Sequence, residues 1–189
     1  AEGFILVMPT GVEKGALLGT WGTAGSWNGG DCCGNAQTAG VDDVALVRAI
    51  LAEVGSHLNV DRSRVYATGL SNGAYLSHRL ACEASDLFVA VAPVAGGLHL
   101  DPCAPSKPVA VLGIHGTGDA IVPYDEFPPS QDFWADANRC STPSSTALQP
   151  QGGGDTRCET YAGCDGDVEV TSCTVEGGGH CWFGDPTCG

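Results

Sequence analysis

The stretch RVYATGLSNGAYLSHRLACE, residues 64–83, constrains the fold more than any other part of the sequence. A β-branched and aromatic run ends at Gly69, Ser71 follows, and after Gly73 the composition becomes that of a helix. This is the G-x-S-x-G pattern between a strand and a helix, in which the serine occupies a strained turn. Small residues two positions before and after the serine let the strand and the helix approach each other. The pattern predicts that Ser71 is a nucleophile beside the positive N-terminus of a helix, which stabilises an anion formed there. The alternative is a glycine-rich turn with an incidental serine.

A serine hydroxyl reacts only when a base takes its proton and an acid orients that base. The segment IHGTGDAIVPY, residues 114–124, follows a predicted strand and contains Asp119. The segment GGGHCWFG, residues 177–184, follows the last predicted strand and contains His180. Loops at the carboxyl edge of a parallel sheet meet at one place, so we expect both side chains to lie near Ser71.

The other histidines are weaker candidates for the base. His57 and His78 lie on or beside predicted helices and are expected at the surface, whereas His99 lies in a loop with no partner signature. His115 directly precedes the acid loop and is expected to hydrogen-bond locally. The dipeptide His115-Gly116 has the letters of an oxyanion loop, but that motif belongs before the nucleophile.

Segments of strand composition alternate with segments of helical periodicity, which is typical of a mostly parallel sheet covered on both faces by helices. The predicted strands are residues 4–8, 65–68, 88–94, 109–115 and 168–175, and the predicted helices are 41–54, 72–82 and 130–140. Residues 19–40 are predicted to be a long irregular loop. We expect one domain, residues 1–189, in which residues 141–166 form a surface excursion stapled by cysteines.

Charge and cysteine content limit the classes of partner and of site. The formal net charge of −14 disfavours nucleic acid and anionic membranes, and no apolar run is long enough to cross a bilayer. Ten cysteines without C-x-x-C or zinc-finger spacing indicate disulfides rather than a metal site, and thus an oxidising compartment. We therefore expect a mature secreted protein. The expected pairs are Cys140–Cys164, Cys82–Cys103 and Cys181–Cys188.

Six segments resemble the secreted polyhydroxybutyrate-depolymerase and feruloyl-esterase-like family of α/β-hydrolases, and they occur in the order found in that family. They are GSWNGGDCCG, GVDDVALVRAIL, RVYATGLSNGAYLSHRLACE, VAPVAGG, IHGTGDAIVPY and GGGHCW. The resemblance covers nearly the whole chain. It implies an α/β-hydrolase fold and a serine esterase that acts, without a cofactor or metal, on short acyl, hydroxycinnamoyl or polyester bonds.

The resemblance also assigns roles to residues of this sequence. The assigned residues are the nucleophile Ser71, the acid Asp119, the base His180 and, as one oxyanion donor, the backbone N–H of Asn72. Trp182, two residues past the base, and Trp27 in the glycine-rich loop are candidates for lining the acyl site. Packing in the core is the alternative for each tryptophan.

The sequence departs from the family pattern at its start. Family members begin with further strands, and the loop after the third strand carries an HG motif that supplies the second oxyanion N–H. The predicted strand 4–8 corresponds to the fourth, so the N-terminal strands of the family are lacking. In the usual strand order the missing third strand would lie between residues 4–8 and 65–68, in the middle of the sheet. Three explanations stay open: the sequence is a fragment, the first strand takes the place of the missing strand with Thr10 or Gly11 as the second oxyanion donor, or a second chain completes the sheet. An exposed sheet edge would favour a homodimer.

Three functions remain open at this point. The first is a secreted serine esterase whose ester substrate is polymeric, such as a polyhydroxyalkanoate or poly(ethylene terephthalate), or is a feruloyl or short acyl ester. The second is a catalytically weak or inactive polymer-binding module of the same fold, with Trp21, Trp27 and Trp182 as a stacking strip. The third is a metal or redox protein, which requires free thiols.

Overall fold

The computed structural model describes residues 3–13, 25–141, 144–147, 155–185 and 188. The described strands are β1 (Val12–Glu13), β2 (Gly25–Ser26), β3 (Tyr66–Leu70), β4 (Ala90–Val94), β5 (Ala110–Gly116), β6 (Ser144–Ala147), β7 (Thr156–Tyr161) and β8 (Val170–Val175). The last six form one sheet in the order β3-β4-β5-β8-β7-β6. Strands β3, β4, β5 and β8 run parallel, whereas β7 and β6 extend the sheet antiparallel. β1 and β2 form a separate antiparallel pair.

The described helices are α1 (Gly34–Thr38), α2 (Asp43–His57), α3 (Asn72–Glu83) and α4 (Phe127–Ala137), with 3-10 turns at Tyr124–Glu126 and Asp165–Asp167. Helix α2 begins where the Asp42 side chain accepts a hydrogen bond from the N–H of Ala45 (2.8 Å), an N-cap that satisfies a free donor of the first turn. None of the described helices is long and apolar enough to span a membrane.

Helices α3 and α4 pack on the same face of the sheet. One cluster joins them to the strands and consists of Ala81, Cys82, Val91, Val109, Val111, Trp134 and Val170. A second cluster, around Val44, Leu76 and Leu80, joins α2 to α3. On the opposite face, Tyr66 and Leu112 are 62% and 41% exposed. The helices of the described part therefore cover one face, although we expected cover on both, because alternation predicts connections but not the face on which each one lies.

Most predicted elements match the structure to within a few residues. Strands β3, β4, β5 and β8 and helices α2 and α3 lie where the sequence predicts them. Helix α4 begins three residues before the predicted start, since Pro128 and Pro129 fit the first turn of a helix, whose N–H groups need no partner. Trp21 lies outside the described residues.

The strand predicted at residues 4–8 is wrong. These residues have no regular secondary structure, and Phe4 is 86% exposed. A continuous apolar run forms a buried strand only beside a partner strand, and in the described part of the chain β3 pairs with β4 alone. Residues 4–8 therefore do not take the place of the missing third strand beside β3, and Gly11 lies instead against the backbone of Ser26. The other two explanations stay predictions.

The structure also corrects the account of residues 141–166. This stretch was expected to be a surface excursion, yet it contains β6 and β7 of the main sheet. Its Gly, Ser and Pro content hid the strand β7, in which the side chain of Cys158 is buried. The expected stapling is present, because Cys140–Cys164 closes the stretch and Cys158–Cys173 joins β7 to β8.

Five disulfides use all ten cysteines. The three expected pairs, Cys140–Cys164, Cys82–Cys103 and Cys181–Cys188, are confirmed, and Cys158–Cys173 and Cys32–Cys33 complete the set. The metal or redox hypothesis required free thiols, and the structure leaves none for it.

The side chain of Asn138 joins the end of α4 to the start of β5, and its removal is expected to lower stability. Its side chain donates to the carbonyl of Val109 (2.8 Å) and accepts from the N–H of Val109 (3.2 Å), and both residues are fully buried. Asn138→Ala leaves both peptide groups unpaired, so we expect a loss of about 2–4 kcal/mol in the free energy of unfolding, measured in urea. The exposed Asp136→Ala on the same helix is the control, with an expected change within about 0.5 kcal/mol. Equal losses in the two variants would contradict this role of Asn138.

Candidate active site

Ser71 stands at the junction of β3 and α3 in a conformation that non-glycine residues rarely adopt, with φ 56° and ψ −120°. Its N–H donates to the carbonyl of Val94 on β4 (2.9 Å), and its own carbonyl accepts from the N–H of Ala74 (2.8 Å). The surrounding backbone thus holds the strained turn from both sides. Among the described residues, the Ser71 hydroxyl has no hydrogen-bond partner.

The two glycines that flank Ser71 differ in the space around them. A Cβ added to Gly69 would lie 2.5 Å from the backbone of Gly73, a contact that no side-chain movement relieves. A Cβ added to Gly73 meets nothing within 4 Å. The sequence predicted that both positions must be small, but only Gly69 is held by close packing. The reason is directional, because the missing side chain of Gly69 points at the helix and that of Gly73 points away from the strand.

His180 and Asp119 form a hydrogen-bonded pair. The distance from His180 Nδ1 to Asp119 Oδ2 is 2.8 Å, and the side chain of Asp119 is fully buried. An ionised carboxylate only accepts, so Nδ1 carries the proton and Nε2 is left as an acceptor. The second oxygen, Oδ1, accepts the N–H groups of Ile121 and Val122, each at 2.9 Å. The carboxylate is therefore fixed in the orientation that holds the imidazole.

The environment of Asp119 favours its ionised form. Burial raises the pKa of this carboxyl, but the hydrogen bonds from His180 and from the N–H groups of Val122 and Ile121 outweigh burial and leave the pKa below its ordinary value. A negative charge beside an imidazole stabilises its protonated form, which is the role that an acid has in a serine triad.

Contacts between glycines bring the loop after β8 to the loop after β5. A Cβ on Gly116 would overlap the carbonyl of Gly178, and the N–H of Gly118 donates to the same carbonyl (2.9 Å). This close approach carries His180 over the end of β5 to Asp119. The described residues contain no direct hydrogen bond from His180 to Ser71, and such bonds often tighten only when substrate binds.

The candidate oxyanion donor, the N–H of Asn72, belongs to the first turn of α3, where the helix supplies no acceptor. The side chain of Asn72 is held by the backbone of Trp27: it accepts from the N–H of Trp27 (2.6 Å) and donates to its carbonyl (2.8 Å). This double contact anchors the glycine-rich loop against the serine turn.

The two predicted acyl-site tryptophans differ in environment. Trp27 is half-buried and packs against the cluster between α2 and α3. Trp182, two residues past His180, is 44% exposed. The structure does not bring the two indoles together.

The other histidines differ in environment. His57 is exposed, as expected, and contacts Glu53 (2.9 Å). His78 was expected at the surface but is fully buried, because helix α3 turns it toward α4, where the indole N–H of Trp134 donates to His78 Nδ1 (2.9 Å). Burial lowers the pKa of His78 to about 3, so this imidazole is neutral. His115 is buried and contacts the carbonyl of Gly116 (3.1 Å), the local contact that was expected.

Sequence reasoning missed a polar cluster one turn beyond Ser71. The hydroxyl of Tyr75 donates to Glu126 Oε2 (2.7 Å), and His99 Nε2 lies 3.0 Å from the same oxygen. Tyr75 is separated by 51 positions from Glu126 along the chain. No sequence motif links these residues, and His99 was described as having no partner signature.

The contrast between the flanking glycines leads to a prediction. Gly69→Ala forces β3 and α3 apart and is expected to lower the free energy of unfolding by about 1–3 kcal/mol. Gly73→Ala, with open space and a helical position, is expected to be neutral or to stabilise by up to about 1 kcal/mol. Urea unfolding followed by circular dichroism measures both. Equal destabilisation by the two substitutions would show that the serine turn is not limited by contact at Gly69.

Curated proteins of similar sequence include two feruloyl esterases. The chain is 33% identical over 175 residues to feruloyl esterase B of Piromyces equi, which covers 82% of this chain and 31% of that protein. It is 36% identical over 147 residues to a probable feruloyl esterase C of Aspergillus niger, which covers 78% of this chain and 53% of that protein. The chain thus spans about half or less of the length of these curated relatives. No protein-family model matches it.

Among solved structures, the acetyl xylan esterase from Aspergillus awamori superposes with a TM-score of 0.56 at 18% identity, over 73% of this chain and 62% of that chain. At that identity the likeness concerns the fold alone. The sequence relatives support an esterase family for this chain, and its fold is that of the α/β-hydrolases.

Proposed function

We propose that this chain carries the catalytic residues of a serine esterase that cleaves carboxylic esters through an acyl-enzyme. The observation that carries the proposal is the His180–Asp119 hydrogen bond of 2.8 Å at the same sheet edge as the strained Ser71. A nucleophile on a tight turn, an oriented imidazole and a buried carboxylate are the three groups that acyl transfer needs. The esterase names of the relatives support the same reaction class.

In the proposed reaction, His180 Nε2 takes the proton of the Ser71 hydroxyl while Oγ bonds to the carbonyl carbon of the ester. The carbonyl oxygen becomes an oxyanion, which the N–H of Asn72 stabilises at the N-terminus of α3. The intermediate then collapses, the bond to the alcohol breaks, and the alcohol leaves with the proton from His180. Water repeats the sequence on the acyl-enzyme and releases the acid.

The proposal assigns one oxyanion donor. A missing donor costs about 10²–10³ in rate, so the polymer-binding module of low activity remains the second candidate. That alternative predicts adsorption to polymer without turnover. The esterase proposal predicts turnover that depends on Ser71.

The relatives named feruloyl esterase favour aromatic acyl esters as substrates, with short acyl esters beside them. Polyesters, including polyhydroxyalkanoates and poly(ethylene terephthalate), enter the proposal only through the likeness of the sequence motifs. Five disulfides support secretion, because such bonds persist in oxidising compartments.

The nucleophile is tested with Ser71→Ala. We expect hydrolysis of p-nitrophenyl acetate to fall by on the order of 10⁴-fold or more, because the covalent step is removed. A sulfonyl fluoride is expected to add one label to the wild type and none to the variant, as read by mass spectrometry. Ser56→Ala, an exposed serine on α2, is the matched control. An alanine variant at position 71 with full activity would overturn the proposal.

The acid is tested with Asp119→Asn. Loss of the orienting carboxylate is expected to lower kcat by on the order of 10⁴-fold, as in other serine triads. The exposed Asp125→Asn, on the same loop, is the control. A fall in kcat below about tenfold would mean that Asp119 does not orient the base.

The effect of Asp119→Asn on the free energy of unfolding is expected to depend on pH. The pKa of Asp119 is lowered in the folded state, so its stabilisation is complete above the unfolded value of about 3.9 and is lost as pH falls through the lower folded value. We expect Asp119→Asn to destabilise the protein at pH 7 and to differ progressively less from the wild type below about pH 4. Urea midpoints across pH 2–7 measure this, and a pH-independent difference would contradict it.

A further inference from the structure

Three buried polar side chains have no part in the proposed reaction. His78 on α3, His115 on β5 and Gln131 on α4 are each 2% exposed or less. Among the described residues, no hydrogen-bond partner contacts His78 Nε2, His115 Nε2 or either polar atom of the Gln131 amide. Leaving a buried polar group unpaired costs free energy, so native structures pair such groups with protein or with internal water.

The three side chains lie along one buried stripe of α4. Gln131 is one turn from Phe127 and one turn from Trp134 on that helix, so these three residues share a face. The Phe127 ring meets the His115 ring at 5.4 Å, and the indole N–H of Trp134 donates to His78 Nδ1 (2.9 Å). The Gln131 amide therefore lies between the two imidazoles.

The strand beside this stripe makes room for the amide. A Cβ added to Gly113 on β5 would lie 2.5 Å from Gln131 Nε2. The amide nitrogen thus lies against β5, the strand that also carries His115.

Each imidazole has a defined tautomer. An indole N–H only donates, so His78 Nδ1 is an acceptor and the proton of the neutral ring is on Nε2. A carbonyl only accepts, so His115 Nδ1 donates to Gly116 (3.1 Å) and His115 Nε2 is an acceptor. Burial lowers the pKa of both imidazoles, that of His78 to about 3, and favours their neutral forms. The unpaired groups therefore alternate, from the His78 Nε2–H donor to Gln131 Oε1, the Gln131 Nε2 donor and the His115 Nε2 acceptor.

This row of groups ends at the loop of the proposed acid. The carbonyl of Gly116 accepts from His115 Nδ1 and also from the N–H of Asp119 (3.3 Å). At the other end, His78 belongs to the helix that begins at the Ser71 turn. The row thus joins the helix after the nucleophile to the loop that carries the acid.

We propose that internal water binds between α3, α4 and β5, with one molecule bridging His78 Nε2 to Gln131 Oε1 and one bridging Gln131 Nε2 to His115 Nε2. Water fits both places because each molecule donates to one group and accepts from the other. Gln131 and His115 are then positioning residues, which hold the Gly116 carbonyl and through it the loop of Asp119. The water site stands by itself, whereas the positioning role rests on the proposed esterase function.

Gln131→Met tests the water site, because it keeps a side chain of similar size and removes both polar atoms. The change leaves the two imidazole nitrogens without their bridged partner, so we expect the unfolding equilibrium constant from urea titrations to rise by on the order of 10- to 100-fold. A constant that stays the same or falls overturns the proposal, since a dry site loses only an unpaired amide. The exposed Asp136→Ala on the same helix is the control, with an expected change of no more than about twofold.

Nitrogen-15 NMR spectra of the wild-type imidazoles at pH 7 test the same site without reference to activity. We expect the Nε2–H tautomer at His78, the Nδ1–H tautomer at His115, and cross-relaxation between the His78 Nε2 proton and water. The opposite tautomer at His115, or no cross-relaxation to water, overturns the water site.

The positioning role is tested by the kinetics of p-nitrophenyl acetate hydrolysis. We expect Gln131→Met to lower kcat by on the order of tenfold with KM unchanged, because a displaced acid loop misorients His180 without altering ester binding. Gln131→Glu, whose buried neutral carboxyl offers one acceptor and one donor, is expected to recover part of kcat. An unchanged kcat in folded Gln131→Met, or a change in KM alone, overturns the positioning role. If Ser71→Ala retains full hydrolysis, the esterase proposal fails, and the urea and NMR measurements still decide the water site.

Discussion

The hydrogen bond from the N–H of Ser71 to the carbonyl of Val94 holds a residue with a strained backbone at the end of β3. A serine at φ 56° keeps this conformation only because the surrounding backbone holds it. The same turn requires Gly69, starts α3 and places the N–H of Asn72 in the first turn, where the helix supplies no acceptor. The fold around the site therefore depends on one backbone contact between neighbouring strands.

The loops after β5 and β8 complete the site by close packing of backbone. Gly116 lies so close to the carbonyl of Gly178 that position 116 has no room for a side chain, and the approach of the two loops sets His180 against Asp119. The hydrogen bonds and the burial of each side chain then decide whether it is ionised. The donors around Asp119 keep it ionised despite burial, whereas His78, fully buried beside an indole, is kept neutral. Burial disfavours the charged form of both groups, but only at Asp119 do hydrogen bonds stabilise the charge strongly enough to outweigh burial.

The sequence predicted the parts of the fold that depend on local chemistry. The strand–serine–helix turn, helix α3 to within one residue, helix α2 to within three residues and three disulfide pairs agree with the structure. It failed where neighbours decide: residues 4–8 have strand composition but no partner strand, and β7 has loop-like composition around it but a place between β6 and β8. His78 was assigned to the surface because the sequence does not show which face of α3 meets α4.

By itself, the sequence determined which chemical groups the chain offers and in which order: a serine on a tight turn, then a carboxylate and an imidazole, each after a strand. Those assignments need only backbone preferences and the spacing of a few residues. The tertiary structure alone decided that His78 is buried, which of the two glycines beside Ser71 is in close contact, and that Tyr75 and His99 contact the same oxygen of Glu126. Such contacts join residues tens of positions apart, and their geometry follows from how helices pack on the sheet, which no local pattern records.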